Sequence, residues 1–391
     1  MNTPTSSIRL LVAIVATSSI AFVGTNVMPV LLGSLMDGLH LDAARAGALG
    51  SAELIAVALG SFALSSKIAT VSRRAVALSG ACVVALGYLL SALATGYGLL
   101  LASRILVGAG AGTALAASNA TVAASERPDE LYAKVVICGG TIGALLVASL
   151  PVIARPLGFK GAFAVICLLV VLALPLVKTL PRGVRAGRAL GRGRFPQRKR
   201  ALALLAAILL SATSEAALWA FAQRIGLAAE VEPETVGLVL GLTMLMGLAG
   251  AGIAAWLGTR FGRSGPMTLG LLASAVMRWL VVQASTPAEY LLTQVAWGMA
   301  FFFTLPYLLG AAAALDSLGR WSAAGGAVST LGYGLGPGIA GLIVARVGYP
   351  ALGCFVFTAS LAALGLALPA VWAMDRPVPR PCPVPGFDEA P

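Results

Sequence analysis

Four ionisable side chains stand inside otherwise apolar runs of this 391-residue chain: Glu53, Arg104, Glu215 and Arg278. Left facing lipid, each costs about 2.5–3.5 kcal/mol at the middle of a membrane helix. Four together approach the whole stability of an ordinary domain, about 5–15 kcal/mol, so they must be paired or wetted. Two chemistries follow. An acid and a base at one depth form an ion pair. A carboxylate reached alternately from each side of a membrane can load and release a proton, because low-dielectric surroundings favour its neutral form.

Counted from the ends of their apolar runs at about 1.5 Å per residue, all four fall about 8–11 Å below one surface. That common layer predicts two pairs, Glu53 with Arg104 and Glu215 with Arg278. Glu215 is the candidate proton carrier; the alternative is a structural acid neutralised by Arg278. Arg104 is expected to anchor an anionic solute, to couple to proton release from a carboxylate such as Glu53, or only to balance that acid. Arg278 reads as structural or snorkelling.

The elements that must hold these groups are twelve apolar stretches at 10–35, 46–66, 75–95, 99–124, 135–154, 162–180, 201–222, 236–257, 267–284, 288–314, 323–345 and 352–373. Most have the roughly 20 residues a spanning helix needs. Hydrophobic residues make up 59% of the chain and charged ones 11%, more apolar surface than one soluble core could hide, so lipid must be the solvent. Short alternating segments are absent, which argues against a transmembrane barrel. The expected fold is an all-α membrane protein with twelve transmembrane helices in two pseudo-symmetric six-helix bundles. Its divisions are residues 1–180, a basic linker at 181–200, and residues 201–391 with a short tail. The first stretch is too long for the core of a cleaved signal peptide and reads as a helix.

Lysine and arginine number 27 against 15 acids. With the N-terminus placed inside, 20 basic residues fall in cytoplasmic segments and five in outer loops, with Arg104 and Arg278 inside helices. This asymmetry is the positive-inside signal, not a nucleic-acid footprint, and predicts both termini in the cytoplasm of a multi-pass protein of the cytoplasmic (inner) membrane. The linker holds eight of the basic residues and no acid, as expected for a solvated segment at an anionic inner leaflet.

Shifting the chain by 190 residues lays one half on the other. Arg73 falls on Arg263, Gly60 on Gly250, Arg104 on Gln294 and Gly108 on Gly298. One offset without gaps indicates an internal duplication. Six plus six helices, a basic central loop, and short basic loops carrying Arg73–Arg74 and Arg260 with Gly262–Arg263 resemble the major facilitator superfamily. That family's loop motif reads roughly G-x-x-x-D-R-x-G-R-R. Here its Asp is replaced by Ala69 and Thr259. The family's Arg-glycine motif of helix 4 looks well matched by Arg104, Gly108, Gly110 and Gly112. Its Gly-Pro motif belongs to helix 5, where this chain has only Gly139, Gly140 and Gly143. The match sits instead in helix 11 as Gly332, Gly336, Pro337 and Gly341, read as a bend of a gating helix.

The resemblance implies two halves that rock about a central cavity lined by helices 1, 4, 7 and 10. It makes Arg104 and Glu215 the cavity charges and gives Arg73, Arg74, Arg260, Arg263, Gly336 and Pro337 to the gates. Spacing supplies candidate stripes: Ser211, Glu215, Trp219 and Gln223 on helix 7; Arg104, Gly108, Gly112, Leu115 and Asn119 on helix 4; Tyr290, Gln294, Trp297, Phe301 and Thr304 on helix 10. Phe22 and Asn26 form a smaller one on helix 1. From these, Asn26, Phe22, Asn119, Trp219, Gln294, Trp297 and Phe301 are the candidate solute contacts.

GAGAG at Gly108–Gly112 lies mid-helix without a preceding strand or a following Lys-Ser/Thr, so ATP-driven pumping is not expected. His40 reads as a loop residue. Cys82, Cys138, Cys167 and Cys354 read as buried packing, and Cys382 lies in the tail. One histidine and two membrane acids argue against an intramembrane enzyme, and neither metal nor cofactor is expected. The expected function is secondary transport by a monomer, its partners a small organic solute, protons and the lipid bilayer. Efflux of amphipathic compounds is preferred over symport uptake of a nutrient or organic acid.

Overall fold

The computed structural model describes residues 4–65, 68, 70–182, 197–315 and 320–375. Ala69, Cys382 and most of the basic linker lie outside the described residues. Twelve α-helices run in order: α1 Pro4–Gly38, α2 Ala43–Ser65, α3 Arg73–Ala92, α4 Tyr97–Ala123, α5 Pro128–Ala154, α6 Gly158–Val177, α7 Arg198–Ala228, α8 Pro233–Leu257, α9 Ser264–Gln283, α10 Pro287–Ala314, α11 Arg320–Arg346 and α12 Tyr349–Asp375. All twelve are long and apolar enough to cross a membrane. In lipid only a helix satisfies its own backbone, so the sequence has little other choice.

Local chemistry sets where the helices begin and end. Pro128, Pro233 and Pro287 open α5, α8 and α10, where a missing N–H costs nothing. Thr286 caps α10 by accepting from the Glu289 amide at 3.3 Å. Gly348, with φ 97°, stops α11; its N–H donates back to the carbonyls of Ile343 and Val344 before α12 starts. The ends overrun the apolar stretches. α7 continues to Ala228, beyond residue 222, and α2 begins at Ala43, ahead of residue 46. Glu215 thus lies thirteen residues from the end of its helix and Glu53 ten from the start, while Arg104 is seven from the start of α4 and Arg278 five from the end of α9. Polar residues such as Gln223 and Arg224 interrupt the apolar run without interrupting the helix.

Ends that meet in space fix the alternation of the helices. Arg224 near the end of α7 pairs with Asp37 near the end of α1 at 2.7 Å. Asp375 at the end of α12 accepts from the backbone N–H groups of Arg263 and Ser264, where α9 starts. The α1–α2 and α7–α8 connections therefore share one end, here the hairpin end, and the opposite one is the terminal end.

The 190-residue offset reappears in the packing. A Cβ on Gly60 of α2 would strike the backbone of Ala109 on α4, and one on Gly250 of α8 that of Met299 on α10. Gly108 abuts the Glu53 carbonyl, and Gly298 that of Thr243. Every one of these pairs repeats at the same spacing. Small residues let membrane helices approach until their backbones touch, where apolarity alone gives no association force.

Between the halves, α2 packs on α11 and α5 on α8, with α1 against α7. Gly47 meets Pro337 and Gly341; Gly338 N donates to Ser51 Oγ at 2.7 Å. Gly237 and Gly241 of α8 meet Ala144, Ala148 and Pro151 of α5, while Arg155, just past α5, pairs with Glu234. Gly33 of α1 accommodates Gln223 of α7. These contacts lie toward the hairpin end. α4 and α10 pack extensively only against helices of their own half.

Candidate functional site

The two acids and two bases that stand inside the apolar runs meet as pairs. Arg104 Nη1 lies 3.2 Å from Glu53 Oε2, and Arg278 Nη2 lies 2.7 Å from Glu215 Oε2. None of the four is more than 6% exposed, so each charge depends on its neighbours rather than on water.

The first pair is built into the interior of its own bundle. Gly108 brings α4 onto α2 at the Glu53 carbonyl, and Gly24 of α1 leaves room for the Glu53 carboxylate. The Arg104 guanidinium lies in a corner of two rings, 4.7 Å from the Tyr88 ring centroid and 4.6 Å from that of Phe163, which are themselves 6.2 Å apart. Its Nη2 donates to Ser91 Oγ at 2.6 Å, and Ser91 bonds Ser103 at 2.7 Å. Two adjoining rings, a carboxylate and a hydroxyl suit a guanidinium with several donors and fix its orientation. The expectation that Arg104 lines the central cavity is corrected here. Its stripe on α4 faces α2, because Gly108 and Gly112 exist to let α2 in.

The second pair has more donors on its acid. Glu215 Oε2 accepts from Arg278 Nη2 and, at 2.9 Å, from Trp297 Nε1. Arg278 Nη1 donates to the hydroxyls of Ser214 and Ser360, the latter at 3.0 Å, and the guanidinium lies 5.3 Å from the Phe301 ring centroid. Serines from α7 and α12 thus share the cation with the acid. This pair does not repeat the first by the internal offset, which lays Glu215 on Thr25 and Arg278 on Tyr88. Each half holds one acid and one base, on different helices.

The remaining candidates separate by exposure. Phe22 is 44% exposed on α1, a helix otherwise packed against α4, α5, α6 and α7. Asn26 is half-buried beside Gly143 of α5, Asn119 is exposed on α4, and Trp219 is partly exposed. Gln294, Trp297 and Phe301 are fully buried. The α10 stripe turns toward α7 and α9: Tyr290 donates to the Ala222 carbonyl at 2.9 Å, Trp297 bonds Glu215, and Phe301 underlies Arg278. In this conformation Trp297 and Phe301 serve the ion pair. Gln294 is the exception, with neither amide atom hydrogen-bonded.

The gate candidates also divide. Pro337 stands on the α2–α11 contact, while Gly336 packs on Ala216 and Ala217 of α7. α11 is one continuous helix with Pro337 inside it, and its glycines allow close approach to α2 and α7. Arg74 Nε donates to the Leu180 carbonyl at 2.5 Å, Arg260 lies over the Trp256 ring, and the Arg263 amide is held by Asp375. Arg73 is buried. Arg74, Arg260 and Arg263 therefore brace loops within one half. Cys82, Cys138 and Cys354 are exposed on helix surfaces rather than buried, and Cys167 alone is partly covered; a small thiol is compatible with a lipid-facing surface.

Sequence reasoning missed Tyr88, Phe163, the serines around both cations, and Thr25, whose carbonyl accepts from Trp219 Nε1 at 2.9 Å. The offset held the available signal, since it lays Tyr88 and Thr25 on the charged pair of the other half.

Twelve membrane helices in two offset-related sets, with charges sequestered in each, define a multi-pass carrier architecture. The family model of the Major Facilitator Superfamily matches residues 13–204 and again 204–390, and the chain belongs to that superfamily of transporters. Among solved structures it is similar to the nucleoside transporter NupG (TM-score 0.74, 16% identity, 94% of this chain and 100% of that one). It is also similar to a D-xylose-proton symporter (TM-score 0.71, 17% identity, 91% and 97%). A third likeness is to a bacterial homologue of the human lysosomal transporter Spinster, inward-facing and unoccupied (TM-score 0.70, 15% identity, 97% and 100%). No curated protein matches the chain in sequence.

Proposed function

We propose that the protein moves a small organic solute across the cytoplasmic membrane by alternating access, driven by protons, with export of amphipathic compounds as its direction. Residues 1–180 and 201–391 move as two bodies, with both termini in the cytoplasm. The hairpin end is then the outer face. The observation that supports this reading is closure toward the hairpin end: α2 packs on α11 and α5 on α8 there, and Trp219 bonds Thr25 deeper between the halves. Phe22 and Asn119 stay exposed, as in a cavity open to the cytoplasm.

Glu215 is the proton site and Arg278 its counter-charge. Of the two acids it is the one bonded, through Trp297 and its neighbour Trp219, toward the other half. One proton crossing about 100 mV supplies about 2.3 kcal/mol, enough for roughly a fifty-fold solute gradient. Phe22, Asn26, Asn119 and Trp219 form the solute surface in this conformation, with Gln294 joining once α10 turns. An aromatic surface carrying amides and no unpaired cation favours amphipathic cargo over an organic acid.

Two measurements test this. A strain lacking the protein should become more sensitive to lipophilic cations; loss of growth on a nutrient instead would reverse the direction. In proteoliposomes loaded with the compound so identified, Glu215→Gln should abolish gradient-driven accumulation while counterflow persists. Undiminished accumulation in that variant would remove Glu215 from coupling.

A further inference from the structure

Trp219 and Trp297 are aromatic neighbours on different helices, with ring centroids 6.3 Å apart and planes at 59°. Both spend their indole N–H on a hydrogen bond, in opposite directions. Trp297 donates inward to Glu215 Oε2, whereas Trp219 donates across to the carbonyl of Thr25 in the other half. An unbroken path therefore joins a buried carboxylate to the contact between the halves.

The acid end of that path is overloaded. Glu215 Oε2 takes both Arg278 Nη2 and Trp297 Nε1. Hydrogen bonds to an ionised acceptor are about twice as strong as neutral ones, so a proton on the carboxyl weakens both. Arg278 keeps the hydroxyls of Ser214 and Ser360 as acceptors. Among the described residues Trp297 Nε1 is bonded to that oxygen alone. Release falls on the tryptophan. The charged and titratable groups facing Glu215 are Arg278 from α9 and Tyr333 from α11; α10 contributes Trp297 and α12 contributes Ser360 through the arginine.

We infer that Trp297 and Trp219 are positioning residues that carry the protonation of Glu215 to the closed hairpin end. The proton frees the Trp297 indole, the adjoining Trp219 ring moves with it, and the bond to Thr25 opens. The inference rests on the reading of Glu215 as the proton site and adds to it how the site reaches the gate.

The test is hydrogen exchange, followed by mass spectrometry, on the full chain in lipid nanodiscs at about pH 5.5 and about pH 8, corrected for intrinsic rates. The readout is the backbone of 43–55 and 334–346, which close the hairpin end. Wild-type protein should exchange there several-fold faster at the lower pH. Trp297→Phe keeps a ring but loses the N–H, and should erase that difference. Trp219→Phe, which removes the donor at the far end, should erase it by raising exchange at both pH values. Trp256→Phe, on an exposed ring, and the double variant Asp37→Asn with Glu234→Gln should keep it. A wild-type difference in both Trp297→Phe and Trp219→Phe overturns the relay, and if Glu215→Gln is flat in the same assay the proton-site reading survives. A Glu215→Gln variant that still responds overturns the proton site and the relay together, as does wild-type protein with no difference. Loss of the response in the double variant would move the sensor to the exposed ion pairs and also overturn the relay.

Discussion

A buried arginine gains its tolerance from every group around it, and Arg104 shows how. Its carboxylate partner, two neighbouring rings and one serine all hold the guanidinium. Removing only one charge leaves the other uncompensated in the bundle, at a cost of about 3–5 kcal/mol. Arg104→Met and Glu53→Gln should each lower the melting temperature sharply, while the double variant Glu53→Gln with Arg104→Met should be markedly less damaged than the two single effects added. A thermal unfolding series on the purified protein reads this cycle, and strict additivity would refute a direct pair. Arg104→Lys should be damaged nearly as much as Arg104→Met, because one ammonium cannot replace the separate Nη1 and Nη2 contacts to Glu53 and Ser91. The sequence identified the four charges buried within the apolar runs, since their cost in lipid is a property of residue type, but not the burial of Arg73 and Arg320 at helix starts. It could not identify the rings, which come from α3 and α6 through folding.

Helices in this protein are placed by what they lack. Gly47 and Gly341 bring α2 and α11 into backbone contact, and Gly108 and Gly112 do the same for α4 and α2. A methyl at Gly47 would meet the Pro337 carbonyl. Gly47→Ala should therefore weaken closure of the hairpin end, seen as increased labelling of an introduced cysteine at Ala148 by an impermeant maleimide. Gly252→Ala is the contrast. Nothing lies near its position, and in a helix interior alanine is favoured over glycine by about 0.5–1 kcal/mol. That variant should leave labelling unchanged and raise stability slightly. The element scale is also where periodicity misled. The steps Arg104–Gly108–Gly112 and Gln294–Trp297–Phe301 do mark single faces. A period says that a face exists, not which helix will cover it, and both faces proved to be covered.

The whole molecule rests on an imbalance between its ends. Inter-half contacts at the hairpin end combine small-residue packing with two exposed ion pairs, Asp37–Arg224 and Glu234–Arg155. Exposed pairs are worth about 0–1 kcal/mol and are screened by salt. Breaking either by Asp37→Asn or Glu234→Gln should move the closed-to-open ratio by no more than about five-fold, and high salt should mimic the change in wild-type protein. A much larger shift in the same maleimide assay would mean that these pairs, rather than the glycine contacts, hold the closed end.

Sequence by itself determined that the chain crosses a membrane twelve times, that it is duplicated at an offset of 190, and which charges had to be neutralised. Those follow from hydrophobic length, self-similarity and the cost of charge in lipid, all of which act along the chain. Only the tertiary structure decided that Arg104 belongs to a bundle interior, that Trp219 reaches Thr25 across the halves, and that the glycines of α11 bring it against α2 and α7. Such outcomes depend on which helix faces arrive opposite one another, and close packing settles that only when all twelve helices assemble.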